Sequence, residues 1–317
     1  MRKLLHFLSL FILVFALTGC GVQQNHDKTG QNSGKTHEFP VTITDGLGQK
    51  VTIEKKPKRI VSLIPSNTET AFALGLDKEI VGVSDNDNYP KQVKSKEKVG
   101  GTEINIEKII SLKPDLVLAD ASNAHNMKNG FKQLEDAGIK VVVVNNANSF
   151  ADVYRSIEMI GKVTGTQKKS EEIINNMKTK VADIKAKAAK IPKENRPKVF
   201  IEVSAPPSMY TTGTGTFMNE MLDILGAKNI AADKKGWVPY SEEAAVKANP
   251  DVVILTYGNY VKDAANKVYK RKGWSEVSAV KKKRVFTVDS DKVSRPGPRL
   301  ADGLEEMAKA IYPHNFQ

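Results

Sequence analysis

A long amphipathic stretch divides the chain into two parts of similar length. Residues 166–190 contain no glycine or proline, and apolar residues recur among them every three or four positions. This spacing places the apolar side chains along one face of an α-helix, which ends near Pro192 because proline cannot continue the helical hydrogen-bond ladder. The pattern is typical either of a rigid helix that joins two lobes or of a surface helix in one large domain. The predicted apolar face consists of Ile173, Met177, Val181, Ile184, Ala188 and Ile191.

Short apolar runs on both sides of this helix predict strands, and they alternate with helical patterns. Such alternation predicts parallel sheets with helical crossovers, preceded by a small hairpin at residues 41–53. The predicted strands are 59–63, 80–83, 115–119 and 140–144 before the long helix, and 198–203, 251–256 and 284–288 after it. The predicted helices are one that ends near residue 74, then 106–112, 127–137, 150–163, 218–225, 242–248, 274–280 and 298–311.

The two flanks of the long helix share a sequence unit. In the first flank, Asn105 can cap a helix, and Glu107 follows it by two positions and precedes a Pro-Asp pair by seven. In the second flank, Ser241 and Glu243 have the same spacing to a Pro-Asp pair. Residues 71–83 and 221–232 also match each other and occur in the same order. Two ordered matches indicate an internal duplication, with the long helix between the copies.

The duplication favours a long helix that joins two lobes over a surface helix in one large domain. We therefore predict an α/β fold of two lobes with mostly parallel central sheets, joined by one long α-helix. The predicted boundaries are residues 39–165 for the N-terminal lobe, 166–191 for the interlobe helix and 192–317 for the C-terminal lobe.

The first residues have the features of a secretory signal. Arg2 and Lys3 precede an apolar run at residues 4–17, which is shorter than the roughly 20 residues that a transmembrane helix needs. The run leads into Leu-Thr-Gly-Cys20, which resembles the bacterial lipobox, and Cys20 is the only cysteine of the chain. A plain secretory signal with a chance cysteine is the alternative. We predict a lipoprotein signal peptide at residues 1–19, a flexible tether at residues 20–38 anchored through lipid on Cys20, and a position on the extracytoplasmic face of the cell membrane.

The chain is basic, with a formal net charge of +12 at pH 7. Apart from residues 281–284, its lysines are scattered instead of forming a basic arm. The sequence also lacks a zinc-finger motif and a basic patch interleaved with aromatic residues. A nucleic-acid partner is therefore not expected.

Several segments carry a resemblance to a known family. They are RIVSLIPSNTETAFALG at 59–75, Tyr89-Pro90, the two Glu-x6-Pro-Asp units, TTGTGTF at 211–217, Trp237, and SDKVSRPGPR at 290–299. On these residues the chain resembles the substrate-binding lipoproteins of ATP-binding-cassette importers. It is most similar to the subclass with a single interlobe helix, which serves cobalamin, haem and ferric siderophores, and within it to the cobalamin binders. The resemblance implies a ligand cleft between the lobes, in agreement with the position of ligands beyond the carboxyl ends of parallel strands. It also implies a monomer without a resident cofactor, whose partners are a membrane permease and its ATPase subunits.

The resemblance further implies which residues face the ligand and the permease. In cobalamin-type relatives, aromatic faces contact the corrin ring and polar groups contact its amide rim. Core packing is the alternative for each aromatic residue, and a surface salt bridge is the alternative for Arg295 and Arg299. Glu107 and Glu243 are expected to dock on permease arginines, or else only to offset the helix dipole. The expected ligand residues are Asn67, Tyr89, Tyr210, Trp237, Tyr240, Asp291 and Arg295.

One departure from the cobalamin binders leaves the ligand open. Binders of that kind carry several cleft tryptophans, whereas this chain has only Trp237 and Trp274, and Asp120 stands where a further aromatic residue would be. Cleft arginines would suit an anionic ferric chelate through bidentate, charge-assisted contacts. Cobalamin is the first expected ligand, and a ferric siderophore or haem is the alternative.

Other function classes fit the residues less well. Zinc or manganese binders need several converging histidines, and only His125 and His314 lie in the body of the chain. A secreted, lipid-anchored hydrolase would need a nucleophile with a base, and Cys20 is committed to lipid. A surface adhesin is a further class that the sequence leaves open. We expect a binding protein, not an enzyme, and no metal site.

Overall fold

The computed structural model describes residues 39–317, except for the side chain of Asn123. The predicted signal peptide, the predicted tether and Cys20 lie outside the described residues. Within residues 39–317, one parallel sheet precedes a long helix and a second parallel sheet follows it. The predicted α/β fold of two lobes with mostly parallel sheets is confirmed.

The N-terminal lobe is built on a five-stranded parallel sheet. Its strands are β1 (Val41–Thr44), β2 (Lys50–Ile53), β3 (Ile60–Ser62), β4 (Ile80–Val83), β5 (Glu97–Lys98), β6 (Leu116–Asp120) and β7 (Lys140–Val144). Its helices are α1 (Pro65–Ala73), α2 (Ile106–Ser111), α3 (Ala121–Ala124), α4 (Lys128–Asp136) and α5 (Phe150–Thr164). The sheet order is β5-β4-β3-β6-β7, and β1 and β2 form the predicted antiparallel hairpin. Apolar clusters cover both faces of the sheet.

The long helix α6 (Gln167–Ala189) leads into the C-terminal lobe, which is built on a four-stranded parallel sheet. Its strands are β8 (Lys198–Glu202), β9 (Tyr210–Thr212), β10 (Lys228–Asn229), β11 (Trp237–Pro239), β12 (Val252–Leu255) and β13 (Val285–Thr287). Its helices are α7 (Phe217–Leu225), α8 (Glu242–Ala248), α9 (Ala264–Tyr269), α10 (Ser278–Lys281), α11 (Ser290–Ser294) and α12 (Leu300–Ile311). The sheet order is β10-β8-β12-β13, and β9 pairs with β11 in a separate antiparallel ribbon.

The internal duplication is visible in both lobes. Four N-terminal strands in the order β4-β3-β6-β7 match the C-terminal order β10-β8-β12-β13. The residue before the shared Pro-Asp pair has a positive φ in each lobe, 48° at Lys113 and 47° at Asn249. Asp115 then accepts a backbone N–H just before β3 at 3.0 Å, and Asp251 accepts one at the start of β8 at 2.9 Å. The repeated unit therefore aligns equivalent strands in the two sheets.

The long helix packs against helices from both lobes. Its buried residues include Met177, Ile184 and Ala188 of the predicted apolar face, and they join a cluster that extends from α5 to α7 and α12. A Cβ at Gly161 of α5 would lie 2.4 Å from the Ser170 Oγ of α6, so glycine permits the close approach of these two helices. The helix is therefore fixed between the lobes on its buried side.

The C-terminal lobe differs from expectation in two places. The predicted helix at 274–280 is wrong in its first half, because Trp274 is buried in a turn that follows Gly273, and α10 begins only at Ser278. The β9–β11 ribbon was not predicted, since its threonines, lysines and glycines show no apolar alternation. A Cβ at Gly213 would lie 2.3 Å from the Lys234 carbonyl oxygen, which shows how closely the two chain segments approach.

Candidate functional site

The polar and aromatic residues at the lobe junction lie in loops that follow the carboxyl ends of parallel strands. Tyr89 follows β4 in the N-terminal lobe, while Tyr260 follows β12 and Asp291 follows β13 in the C-terminal lobe. Because the carboxyl ends of parallel strands share one edge of a sheet, each lobe gathers these loops at one edge. Hydrogen bonds join the loops of one lobe to those of the other. The candidate site is the junction of these two edges.

A buried glutamate of the N-terminal lobe binds two arginines of the C-terminal lobe. Glu69 of α1 is 3% exposed. Its Oε1 accepts hydrogen bonds from Arg295 Nη1 at 2.8 Å and Arg299 Nη2 at 2.7 Å, and its Oε2 accepts one from Arg299 Nε at 2.7 Å. Burial acts to lower the pKa of Arg299, but the hydrogen bonds and charge of Glu69 outweigh it and raise that pKa. These charge-assisted bonds make a strong contact between the lobes.

Asp291 is a second carboxylate at the junction. Its Oδ1 accepts a hydrogen bond from the Tyr260 hydroxyl at 2.7 Å and lies 2.9 Å from Arg295 Nη2. Its Oδ2 accepts one from Asn88 Nδ2, in the N-terminal lobe, at 2.9 Å. The structure thus brings the predicted residues Asp291 and Arg295 together. The structure also places Asn88, Tyr260 and Glu69 in this cluster, and the sequence analysis had not singled them out.

Tyr89 presents an exposed ring beside this charged cluster. It is 45% exposed, and the Arg299 guanidinium carbon lies 3.9 Å from the ring centroid. A guanidinium at this distance makes a favourable cation–π contact. The arginine covers part of the ring, and the exposed remainder is open to a ligand.

Two further exposed aromatic residues lie on the β9–β11 ribbon. Trp237 pairs with Thr212, and Tyr210 pairs with Pro239. Since alternate strand residues point to the same face, Tyr210 and Trp237 share one face of the ribbon. They are 40% and 41% exposed, and the Trp237 ring packs edge to face against Phe217 with centroids 5.6 Å apart. Both rings therefore offer apolar surface to solvent or to a flat ligand.

Two predicted ligand residues make contacts inside their own lobes. Asn67 is 3% exposed, and its Nδ2 donates a hydrogen bond to the Ala119 carbonyl at 2.8 Å. Tyr240 is half-buried, and its ring centroid lies 5.6 Å from that of Phe200. Burial, followed by the charge of Asp233, raises the pKa of Tyr240. A role of Asn67 and Tyr240 towards the ligand stays a prediction.

A second buried charge pair lies at the carboxyl end of β8. Glu202 is fully buried and accepts hydrogen bonds from Arg271 Nη1 at 2.9 Å, from Arg271 Nη2 at 2.8 Å and from the Tyr257 hydroxyl at 2.5 Å. Burial and the adjacent carboxylate raise the pKa of Tyr257 above its ordinary value, so the phenol remains a donor. Arg271 Nε also lies 3.5 Å from Glu242, the first residue of α8. The network links the end of β8 to the helix that carries Glu243.

Glu107 and Glu243 occupy equivalent exposed positions in the two lobes. Each lies in the first turn of a short helix, after an N-cap whose side chain accepts a backbone N–H. Among residues 39–317, neither carboxylate forms a hydrogen bond or an ion pair with another side chain. Both are therefore available to a partner.

One sizeable recess of the described residues lies away from the charged cluster. This recess of about 450 Å³ lies between the β1–β2 hairpin and α5, and none of the expected ligand residues lines it. In the described part of the chain, no helix is long and apolar enough to cross a membrane. The same residues contain no cluster of three or more His, Cys, Asp and Glu side chains placed to hold a metal ion. The charged cluster and the Tyr89 ring therefore define the candidate site, and the ribbon that carries Tyr210 and Trp237 follows the carboxyl end of β8.

Comparison with known proteins places this geometry in a family. The family model described as periplasmic binding protein matches residues 60–292. An uncharacterised ABC transporter substrate-binding lipoprotein of Bacillus subtilis is 53% identical over 311 residues, which cover 98% of this chain and 97% of the relative. A cobalamin-binding protein of Halobacterium salinarum is 30% identical over 282 residues, which cover 86% of this chain and 74% of the relative. Among solved structures, a possible iron-binding (periplasmic solute-binding) protein of Staphylococcus epidermidis is 43% identical with a TM-score of 0.73, and the match covers 81% of this chain and 100% of that one.

These matches cover both lobes and confirm the resemblance that the sequence motifs indicated. The family match spans most of the described residues, from β3 to α11. The chain therefore belongs to the periplasmic binding protein family and is a solute-binding protein, not an enzyme.

Proposed function

We propose that this protein is the substrate-binding component of an ATP-binding-cassette importer, and that it captures cobalamin outside the cytoplasm and delivers it to a membrane permease. The observation that carries the proposal is a set of three exposed rings: Tyr89 in the loop after β4, and Tyr210 and Trp237 on the β9–β11 ribbon of the other lobe. A corrin has broad apolar faces and a polar amide rim. The rings suit its faces, and the hydrogen-bonding groups around Asp291 suit its rim. The similarity to a cobalamin-binding protein supports this choice of ligand.

A ferric siderophore or haem is the second candidate ligand. It is favoured by the similarity to the possible iron-binding protein of Staphylococcus epidermidis, which exceeds the similarity to the cobalamin-binding relative in sequence identity. Such a ligand would use the same exposed rings, so the binding surface is common to both proposals.

The proposed mechanism needs no covalent step. The ligand settles between the two lobe edges, the lobes move by a small amount, and the loaded monomer docks on the permease, which releases the ligand. The packing of α6 against helices of both lobes and the bonds of Glu69 to the opposite lobe both limit the opening. Affinity is then controlled by the loops at the junction instead of by a large domain closure.

Trp237→Ala is expected to weaken cyanocobalamin binding by about 1–3 kcal/mol, since truncation of a contact aromatic residue removes that much. This corresponds to roughly 5- to 150-fold in Kd, measured by isothermal titration calorimetry against the wild type. Because Trp237 is 41% exposed, the free energy of unfolding should fall less than it does when a buried tryptophan is removed.

The other tryptophan of the chain is the matched control. Trp274 is 1% exposed, so Trp274→Ala should lower the free energy of unfolding by about 3–5 kcal/mol. Trp237→Phe should retain most of the affinity, because it keeps an aromatic face. An unchanged Kd in Trp237→Ala would remove this residue from the site, and no binding of cyanocobalamin by the wild type would refute the proposed ligand.

Glu107 and Glu243 are the proposed contacts to the permease. Their exposure, lack of described ion-pair partners and equivalence in the two lobes support this role. Two equal carboxylates let the permease hold both lobes and respond to their separation, through charge-assisted bonds with arginine.

Lipid on Cys20 is the proposed anchor to the outer face of the membrane. Each buried methylene of a lipid chain contributes about 0.8 kcal/mol, so a cysteine with several chains is held firmly. We expect Cys20→Ser to leave a protein that folds and binds its ligand as the wild type does, but that appears in the soluble fraction or retains its signal peptide. Cell fractionation with mass spectrometry of the N-terminus measures this. Processed Cys20→Ser protein that stays in the membrane fraction would refute the anchor.

A further inference from the structure

Four charged side chains beneath the candidate site pair with one another. Outside this group, Asp289 also acts on Arg299, and its carboxylate lies 3.9 Å from the Lys292 ammonium. Glu69 and Asp291 carry two negative charges, and Arg295 and Arg299 carry two positive charges, so their sum is zero. Their side chains are 2%, 12%, 12% and 15% exposed, in the same order. Every one of them is bonded to an oppositely charged member of the group at 2.7–2.9 Å.

This group is in direct contact with the surface that meets the ligand. Arg299 lies over the Tyr89 ring at 3.9 Å, and Asp291 accepts the hydrogen bond of Tyr260. Charges that are largely buried are weakly screened by salt, so an unbalanced one would act on a ligand at this surface. Cleft arginines without partners would suit an anionic ligand, whereas both arginines here are neutralised by carboxylates.

We infer that Glu69 is a specificity-determining residue of the ligand site: its negative charge, together with that of Asp291, balances Arg295 and Arg299 at the lobe junction. The site therefore prefers a ligand without net charge over an anionic one. The inference rests on the proposed function, because it takes this junction as the binding surface. Cyanocobalamin, whose cobalt and phosphodiester charges cancel, is a ligand of the preferred class. Haem, with two propionates, belongs to the disfavoured class.

A purely mechanical role of Glu69 makes different predictions. If the carboxylate only holds the lobes together, then removal of either bonding partner should weaken all ligands alike. If it sets the charge, the effect should depend on the sign of the charge that remains. Glu69→Gln leaves the group at +1, Arg299→Gln leaves it at −1, and the double variant restores zero while the bridge between these two side chains is still broken.

The experiment measures Kd for cyanocobalamin and for haem with the wild type and these three variants, at low and high salt. We expect Glu69→Gln to tighten haem binding by about tenfold, the effect of one unit charge at about 12 Å with an effective dielectric constant of about 20. Arg299→Gln should weaken haem binding, and the double variant should return the haem-to-cobalamin Kd ratio to that of the wild type. Because the charges are largely buried, high salt should reduce these differences only slightly. Thermal melts confirm that each variant is folded, and Arg299→Gln, compared with the double variant, still tests the charge if Glu69→Gln alone is unstable.

The outcomes separate this inference from the proposed function. The role of Glu69 would be overturned, even if cyanocobalamin binds, by a haem-to-cobalamin Kd ratio that is equal in all four proteins. It would also be overturned if this ratio falls by the same factor in Glu69→Gln and in Arg299→Gln. Binding of haem in place of cyanocobalamin by the wild type would overturn both the proposed ligand and the stated charge preference. Binding of neither probe by any of the four proteins would overturn cobalamin as the proposed ligand and, with it, the role of Glu69 in choosing between these two ligands.

Discussion

Uptake of the ligand by cells is expected to be lost when Glu107 and Glu243 are both changed to arginine, while the Kd of the purified protein for its ligand stays the same. Each reversal sets a positive side chain against the arginines that we propose on the permease, so attraction becomes repulsion at both lobes. The carboxylates are exposed and bond to no described side chain, so the fold should tolerate the change. A radiolabelled-uptake assay in cells that carry only the variant, together with calorimetry on the purified protein, measures both quantities.

The alternative is that each glutamate only offsets the positive end of its helix, which contributes about 0.3–1 kcal/mol. In that case the double variant would lose a little stability and transport normally. Glu171→Arg with Glu194→Arg is the matched control, because it changes the net charge equally at exposed positions of the interlobe helix and of the turn before β8. Normal uptake by the Glu107 and Glu243 double variant, or equal loss in the control, would refute docking through these residues.

Removal of the Arg271 side chain is expected to cause a large loss of stability, similar to that expected for Trp274→Ala. Arg271→Met would leave the fully buried carboxylate of Glu202 with only the Tyr257 hydroxyl as a partner. Removing one partner of a buried ion pair costs about 3–5 kcal/mol, because the remaining charge is uncompensated. Urea denaturation of the wild type and the variant measures this difference in the free energy of unfolding.

The double variant Arg271→Met with Glu202→Leu is the control for this prediction. Replacing both members of a buried pair by apolar residues is often neutral, so the double variant should recover most of the loss. A loss of less than about 1 kcal/mol in Arg271→Met would show that the pair is not a stabilising contact. Equal losses in both variants would mean that lost packing, not the unpaired charge, is responsible.

Sequence patterns predicted those structural elements that are determined by residues close together in the chain. Alternating strands and helices, the caps at Asn105 and Ser241, and the repeated Pro-Asp unit depend on residues within a few positions of one another, and the structure has each of them at or near the expected place. The same repeat allowed Glu107 and Glu243 to be matched between the lobes. Local periodicity also located the buried face of α6.

The contacts of the candidate site were beyond sequence reasoning because they join distant segments. Glu69 bonds to Arg295, 226 positions later, and no local pattern connects the two. One local feature could have drawn attention to Glu69, since it is the only charged residue of α1. Tyr260 and Asn88 gave no comparable signal, and their position became evident only when the two sheet edges met. Asn67 lies in the motif that carried the resemblance, yet its amide bonds within the N-terminal lobe.

The proposed ligand is tested most directly by isothermal titration of the purified protein with cyanocobalamin, haem and a ferric siderophore under one set of conditions. We expect saturable binding of one cyanocobalamin per chain, with a lower Kd than for either of the other two ligands. Saturable one-to-one binding of haem or of the ferric siderophore, with no measurable heat from cyanocobalamin, would contradict it.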